Sequence, residues 1–291
     1  MSSKKVIGVD IGGTKIHIGI VEEGKITDEL KIPTSAQASQ DQILNELVGG
    51  IEKLIDVSIA GIGVGVAGLI DEERGIVYGV QNIPSFQKVH LKQCLEDYFN
   101  KPVYLTNDAN SFVLGEKLYG RGQGFSNIVG LTLGTGLGGG IILNNQLYSG
   151  MHASAGEFGG IPYLNKTIED YCSGKFFSDQ FGLTGNLVYD QAMQGDKQAL
   201  AIMQQLGEHI GNALKIILFA LSPEAIFLGG SVSNGFPFFE AGMRASLQQF
   251  PFQKVREQVV IERSTMVNSA ILGAAALVHM KKQAISQIHL V

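Results

Sequence analysis

The residues in this sequence that are best suited to chemistry are carboxylates that stand next to glycine-rich turns. Residues 10–15 read Asp-Ile-Gly-Gly-Thr-Lys and lie between two apolar stretches. Glycines allow backbone N–H groups to approach an anion closely, and the hydroxyl of Thr14 adds a donor. A carboxylate such as Asp10 can share a phosphate site when a divalent cation, usually Mg²⁺, lies between the two charges. The pattern therefore predicts a phosphate and magnesium site, although a tight hairpin without a ligand has the same composition.

A second glycine-rich group, residues 134–140, reads Gly-Thr-Gly-Leu-Gly-Gly-Gly. It contains the G-x-G-x-x-G spacing of dinucleotide-binding folds, which require a helix directly after it. Residues 141–145, Ile-Ile-Leu-Asn-Asn, predict a strand and a hairpin turn instead, so a dehydrogenase is excluded. The sequence also lacks the G-x-x-x-x-G-K-[ST] pattern of a P-loop. A phosphate would therefore be bound by hairpin turns.

Three further carboxylates could act on a hydroxyl-bearing substrate. Asn107 and Asp108 stand between a predicted strand and a predicted helix. They can cap that helix, and Asp108 can also accept the proton of an attacking hydroxyl group. Glu157, within the Ala-Gly-Glu-Phe-Gly of residues 155–159, and Glu169 follow the second glycine group. These two carboxylates can bind the hydroxyls of a polyol, or they can be solvated surface acids.

Metal-binding residues show no comparable pattern. The six histidines are scattered without the spacing of metal ligands. Cys94 and Cys172 are too few for a disulfide framework or a four-cysteine zinc site.

Hydrophobic periodicity predicts the elements that must position these residues. The predicted strands are 6–10, 16–21, 25–32, 59–66, 103–106, 128–133 and 225–228, and the predicted helices are 41–55, 91–99, 109–119, 196–222 and 269–282. Residues 7–26 also align without gaps onto residues 129–148, each stretch being an apolar strand, a glycine-rich turn and a second apolar strand. The alignment favours a duplicated domain with one glycine-rich hairpin in each half, although any two buried hairpins have a similar pattern.

Composition limits the class of protein. A chain of 291 residues is long enough for two domains. Its 45% hydrophobic and 17% charged residues predict a large buried core. A net charge of −5 gives no basic surface for nucleic acid or an anionic membrane. No apolar run approaches the roughly 20 residues of a membrane span, and the N-terminal residues do not resemble a signal peptide. We therefore expect a soluble, cytoplasmic protein.

Taken in order, these groups make the sequence resemble the ROK family of sugar kinases, within the actin-like ATPase superfamily, over nearly its whole length. Further pieces of the resemblance are Gly65-Val66-Ala67-Gly68, Asn82 and Gly229-Gly230-Ser231. The resemblance implies an α/β, two-domain actin-like ATPase (ribonuclease H-like) fold with an interdomain cleft. The N-terminal lobe would be residues 1–114, joined by the closing helix 269–291, and the C-terminal lobe residues 115–268.

The resemblance also implies the residues of the site. Those expected to bind ATP are Asp10, Gly12, Gly13, Thr14, Lys15, Gly134, Thr135, Gly136, Gly138, Gly229, Gly230 and Ser231. Those expected to bind the sugar are Gly68, Asn82, Asn107, Asp108, Glu157 and Glu169. Asp108 would be the catalytic base, and Asp10 would hold Mg²⁺ through water.

The sequence departs from the family at one position. Many members have a histidine directly after A-G-E-x-G, which contacts the sugar and binds a structural zinc. Here that residue is Gly160, and no cysteine or histidine stands between it and Glu169. We therefore expect no zinc site.

The resemblance implies ATP-dependent transfer of a phosphoryl group to a hexose, most commonly at O6. A glucokinase-like activity is favoured, with N-acetylhexosamine kinase and fructokinase as alternatives. ROK repressors carry an N-terminal helix-turn-helix, for which the sequence before residue 10 leaves no room. An actin-like structural ATPase leaves Glu157 and Glu169 unexplained. Homodimers are common in the family.

Overall fold

Residues 5–80 and 82–288 are described by a computed structural model, which gives the side chains as far as residue 280. The chain forms two compact units. The first contains the described residues up to Gln123, Gln146–Ala155, and those from Met266 onward, and the second contains Gly124–Asn145 and Gly156–Thr265. The predicted division of the chain into lobes 1–114 and 115–268 stays a prediction.

The strands are numbered in chain order. They are β1 (Val6–Ile11), β2 (Lys15–Glu22), β3 (Lys25–Pro33), β4 (Ile62–Val66), β5 (Leu69–Asp71), β6 (Ile76–Val80), β7 (Ile83–Val89), β8 (Val103–Asn107), β9 (Ile128–Leu133), β10 (Leu137–Leu143), β11 (Gln146–Leu147), β12 (Pro162–Tyr163), β13 (Lys166–Thr167), β14 (Ala225–Gly229) and β15 (Val260–Arg263).

The α-helices are numbered in the same way. They are α1 (Gln40–Glu52), α2 (Leu91–Phe99), α3 (Asp108–Tyr119), α4 (Ile168–Cys172), α5 (Gly174–Phe181), α6 (Gly185–Met193), α7 (Lys197–Leu221), α8 (Phe236–Leu247), α9 (Gln253–Gln258) and α10 (Ser269–Ile288). Each predicted strand and helix is confirmed, most with ends that differ by three residues or fewer. No helix among the described residues is both long enough and apolar enough to span a membrane.

The main sheet of the first unit has the strand order β3-β2-β1-β4-β8. The hairpin β1–β2 is antiparallel, whereas β1, β4 and β8 are parallel. Asp10 pairs with Gly65, and Val66 pairs with Asn107. Because the carboxyl ends of parallel strands meet at one edge of a sheet, this edge gathers the predicted site residues of the first unit.

Within the second unit, the main sheet has the order β10-β9-β14-β15, which repeats the order β2-β1-β4-β8 of the first unit. Here too the hairpin β9–β10 is antiparallel and β9, β14 and β15 are parallel. The duplicated architecture is therefore confirmed at the level of the sheet. The turns differ, because Ile11 pairs with Ile16 whereas Leu133 pairs with Leu137. The second turn is thus one residue shorter, which the gap-free alignment did not predict.

Several elements carry no clear sequence signal. The three-stranded sheet β5-β6-β7 was not predicted, because β5 has only three residues and the β6–β7 register shifts between Tyr78 and Val80. The short helices α4, α5 and α6 were also not predicted. Residues 184–193, for example, span too few turns for their period to stand out.

Glycines allow α10 to pack directly on the sheet and on α3. A Cβ atom at Gly63, on β4, would overlap the carbonyl group of Ala274, and one at Gly273 would overlap the carbonyl of Ser111. Ala275 and Val278 complete the buried face of the helix. The 38 glycines of the sequence therefore reflect close packing of backbone on backbone as well as turns.

We predict that Gly63→Ala destabilises the protein, since the added methyl group has no space and overpacking costs about 1–3 kcal/mol. Gly49→Ala, inside α1, is the control because a Cβ there has nothing within 4 Å. It should raise stability by about 0.5–1 kcal/mol, since alanine favours a helix. Urea unfolding of both variants measures the difference, and equal effects would refute the packing argument.

Candidate functional site

The first glycine turn is fixed by its neighbours in the first unit. The N–H of Gly12 donates to the carbonyl of Lys15 (3.0 Å). Thr34, which follows β3, donates from its hydroxyl to the carbonyl of Gly12 (2.8 Å) and from its N–H to that of Thr14 (3.1 Å). The side chains of Thr14 and Lys15 are exposed. The turn therefore has a fixed backbone and two side chains that a ligand can reach.

The first turn also meets a residue predicted to bind the sugar. A Cβ atom at Gly13 would lie 2.5 Å from the Cβ of Asn82, which is itself exposed. Glycine is therefore required at residue 13 for this approach. The structure thus brings together a predicted phosphate residue and a predicted sugar residue that are far apart in the sequence.

Asn107 and Asp108 occupy the start of α3. The Asn107 side-chain oxygen accepts from the N–H of Ala109 (2.8 Å), and its amide group donates to the carbonyl of Gly68 (3.3 Å). Asn107 therefore caps the helix and also holds the residue 65–68 turn, where Gly68 has a φ of +124°. Asp108 accepts a 3.0 Å hydrogen bond from the Ala109 N–H through Oδ1.

The carboxyl group of Asp108 affects that of Asp10. Partial burial and the charge of Asp108 raise the pKa of Asp10 from 3.8 to about 6, with Lys15 opposing the shift. Loss of solvation also raises the pKa of Asp108. Two half-buried carboxylates at one sheet edge favour a bound proton or a cation.

In the second unit, glycines bring the loop of Glu157 onto β10. A Cβ atom at Gly139 would lie 2.5 Å from the carbonyl oxygen of Gly156, and one at Gly159 would lie 2.5 Å from that of Leu137. Gly156 also has a φ of +95°, which disfavours any residue with a side chain. These close backbone contacts position Glu157, which is exposed.

Glu169 lies against the second glycine turn. Its Oε2 accepts from the N–H of Leu137 (2.9 Å), and its Oε1 accepts from the Nζ of Lys175 (2.6 Å). The predicted sugar ligand thus contacts the predicted phosphate turn through Leu137. Each carboxylate oxygen keeps a second lone pair that can accept a sugar hydroxyl.

A cavity of about 210 Å³ in the second unit begins at this turn. Its lining includes Gly134, Thr135 and Ser231, which were predicted to bind ATP. The remaining lining residues were not predicted: Gly174, Phe177, Thr184, Gly185, Asn186, Tyr189, Met203, Val232, Asn234 and Gly235. Amide, hydroxyl and aromatic groups of this kind suit a flat heterocycle that carries hydrogen-bonding edges.

Gly230 follows β14 and precedes Ser231, which lines this cavity. It has a φ of +81°, and a Cβ atom there would overlap the carbonyl of Leu133. Ser233 closes the following turn by donating from its hydroxyl to the carbonyl of Gly230 (2.7 Å). Ser231 is exposed as a result.

Gly160 faces open space, since a Cβ atom there would have no neighbour within 4 Å. Among the described residues, no three His, Cys, Asp or Glu side chains are grouped so that they could hold a metal ion. The expectation that zinc is absent stays a prediction.

The duplicated sheets, each with an antiparallel glycine hairpin beside parallel strands, define an actin-like ATPase fold. The ROK family model matches residues 6–281, and the chain belongs to the ROK family. A glucokinase from Thermotoga maritima is 29% identical over 311 aligned positions, covering 96% of this chain and 98% of the relative. An N-acetyl-D-glucosamine kinase from Escherichia coli is 29% identical over 309 positions, covering 94% and 98%.

A solved structure of the same family is also similar to this chain. The ROK family glucokinase from Streptomyces griseus, in complex with glucose and AMPPNP, superposes with a TM-score of 0.81. It is 29% identical and covers 95% of this chain and 99% of its own.

We predict that Asp10→Asn stabilises the folded protein at neutral pH in the absence of metal. Because the folded pKa of about 6 lies above the ordinary 3.8, wild-type protein loses stability as the pH rises from about 4 to beyond 6. Asparagine carries no charge at any pH in this range. The Tm of Asp10→Asn should therefore equal that of the wild-type protein at pH 4 and exceed it by roughly 5 °C at pH 8. Thermal unfolding across this range tests the prediction, and a pH-independent difference would contradict it.

Proposed function

We propose that this protein is an ATP-dependent hexose kinase with glucokinase-like specificity. The observation that carries the proposal is the pair of half-buried carboxylates, Asp10 and Asp108, at the sheet edge that also holds Asn107 and the first glycine turn. One carboxylate suits a metal–phosphate and the other suits a hydroxyl group. The similarity to glucokinases over nearly the whole chain supports the same activity.

Each unit, taken by itself, has residues that suit part of ATP. In the first unit, the backbone N–H of Gly13 and the side chains of Thr14 and Lys15 suit polyphosphate oxygens, whereas the N–H of Gly12 is bonded to Lys15. In the second unit, the turn at residues 134–136 suits phosphate and the cavity of about 210 Å³ suits the adenosine. Ser231, which follows Gly229 and Gly230, lines this cavity. Gly138 belongs to the strand that leaves the turn.

The residues at the sheet edge fit a divalent cation. Burial leaves the charges of Asp10 and Asp108 poorly solvated, and the exposed Lys15 does not abolish the upward shift of the Asp10 pKa. Asp10 would hold Mg²⁺, through water. When bound, Mg²⁺ neutralises charge on the transferring phosphoryl group.

Each unit, taken by itself, has polar side chains that suit the hydroxyls of a sugar. Asn82, Asn107 and Glu157 have polar groups that can bind its hydroxyls, and Gly68 fixes Asn107 through its carbonyl. Glu169 contributes the lone pairs that Leu137 and Lys175 leave open.

Asp108 acts as the general base. Its carboxylate takes the proton of the attacking sugar hydroxyl as the sugar oxygen bonds to the γ-phosphorus. The bond from the γ-phosphorus to the β–γ bridging oxygen then breaks, and ADP leaves. The raised pKa of Asp108 makes this carboxylate a stronger base than an exposed aspartate.

One observation favours a second substrate class. The open space at Gly160 gives room for a substituent such as a 2-acetamido group, and an N-acetyl-D-glucosamine kinase is similar over nearly the whole chain. Fructokinase activity, a cytoplasmic location, a homodimer and the absence of nucleic-acid binding stay predictions.

We predict that Asp108→Asn lowers kcat by about 10²–10⁴-fold, the usual contribution of a general base. The Kd for sugar should change much less, because asparagine keeps the shape and the hydrogen bond from Ala109 can form to its carbonyl oxygen. Steady-state kinetics and calorimetric sugar binding measure the two quantities. Near-normal turnover would refute the role of Asp108 as general base and leave it a structural role at the start of α3.

The substrate is tested by ADP release with ATP, Mg²⁺ and a panel of sugars. We expect the highest kcat/KM with glucose, ahead of mannose, fructose, N-acetylglucosamine and N-acetylmannosamine. Glucose should also exceed 2-deoxyglucose clearly, since a site that binds a hydroxyl rejects an analogue without it. A tenfold higher kcat/KM with an N-acetylhexosamine than with glucose would refute the glucokinase-like specificity and favour an N-acetylhexosamine kinase. ADP release with none of these sugars would refute the kinase proposal.

A further inference from the structure

One short segment of the second unit contacts the backbone of the second glycine turn, residues 134–136, at several points. Within the turn, the N–H of Gly134 donates to the carbonyl of Gly136 (2.9 Å). The carbonyl of Gly134 accepts from the N–H of Gly174 (2.7 Å), and the carbonyl of Thr135 accepts from the hydroxyl of Ser173 (3.1 Å). The segment that supplies these donors joins α4 to α5.

Glu169 completes this contact from α4. Its Oε2 accepts from the N–H of Leu137, directly after the turn. A Cβ atom at Gly136 would overlap the same oxygen, so glycine is required there for the carboxylate to approach. The backbone of the turn is thus held at its middle and at both ends by residues 169–174.

The element that carries Glu169 is itself fixed. Thr167 donates from its N–H (3.0 Å) and its hydroxyl (2.6 Å) to Asp170, which caps α4. Tyr171 and Cys172 are buried in the core of the second unit. Movement of Glu169 is therefore limited mainly to its own side-chain torsions.

Lys175 fixes those torsions. Its Nζ donates to Oε1 of Glu169 at 2.6 Å, and the two side chains are 37% and 24% exposed. Glu169 raises the pKa of Lys175, so the ammonium stays charged at neutral pH. Because Lys175 is the second residue of α5, its backbone N–H also donates to Ser173 (3.2 Å), the residue that holds Thr135.

We infer that Lys175 is a positioning residue that holds Glu169 against residues 134–136 and so keeps this turn ready for the phosphates of ATP. Nucleotide binding then depends on a lysine that need not touch the nucleotide. The inference rests on the proposed function, which assigns phosphate binding to the turn. It extends that function because Glu169, expected to bind sugar, also supports the nucleotide site.

The test compares Lys175→Met with Lys175→Arg, which keeps a donor for Glu169, and with Lys166→Met as a matched control. Lys166 pairs with Asp179 of α5 at the same 2.6 Å but has no contact with the turn among the described hydrogen bonds. Calorimetric binding of AMPPNP without sugar is measured for each, together with KM for ATP, KM for sugar, kcat and Tm.

For Lys175→Met we expect about a fivefold weaker AMPPNP affinity, the upper range for a partly exposed ion pair. The KM for ATP should rise in parallel, and the KM for sugar should rise by no more than that, because Glu169 is also expected to bind the sugar. Lys175→Arg and Lys166→Met should stay within twofold of wild type. Glu169→Gln, which keeps an acceptor for Leu137 but no charge for Lys175, should repeat the loss of AMPPNP affinity if Lys175→Met does not fold.

The inference is overturned if Lys175→Met binds AMPPNP as wild type does, whatever its Tm. It is also overturned if the KM for sugar alone rises, or if Lys175→Arg is as weak as Lys175→Met. If the wild-type protein phosphorylates sugar and the variants give any of these results, the inference fails while the proposed function stands. A wild-type protein that binds no AMPPNP and phosphorylates no sugar overturns both.

Discussion

Contact of backbone with backbone, possible only where a side chain is absent, is the constraint on which both units depend. At Gly63 and Gly273 it lets α10 lie directly on the sheet and on α3. At Gly139 and Gly156 it places the loop of Glu157 on β10, and at Gly136 it admits the carboxylate of Glu169. The same property, the missing Cβ, thus serves the core and the site. Such contacts tolerate little change, because protein interiors are packed too densely to absorb an added methyl group.

The sheets could be predicted because their strands carry strong local signals. Val6–Ile11 and Ile128–Leu133 are mostly apolar stretches that are followed directly by glycine, and the sequence similarity between their hairpins indicated the repeat. The one-residue difference between the turns could not be predicted, since turn length depends on how the two strands pair, and the two stretches align without a gap. The sheet β5-β6-β7 was missed because β5 is too short to show a period and the β6–β7 register is irregular.

The site was only partly accessible to sequence reasoning. Asp10 stands out because glycines follow it closely, and Asp108 because it lies between a predicted strand and a predicted helix. Glu169 could be selected as a carboxylate that follows the second glycine group. The lining of the cavity could not, because Asn186 and Asn234 belong to no motif and meet only through the folding of distant segments. Nor could the sequence predict that Glu169 has a partner in Lys175, six residues later. Spacing identifies candidate groups, whereas their partners depend on tertiary packing.

The two glycine hairpins differ in charge as well as in the length of their turns. The residue that corresponds to Asp10 in the second half is Thr132, whose hydroxyl donates to the carbonyl of Gly138 (3.4 Å). A neutral side chain that is occupied within its own hairpin brings no charge to this edge of the second sheet. The symmetry of the two sheets therefore extends to the order of their strands but not to the charges that the strands carry, and a single frame can present a carboxylate in one half and a hydroxyl in the other.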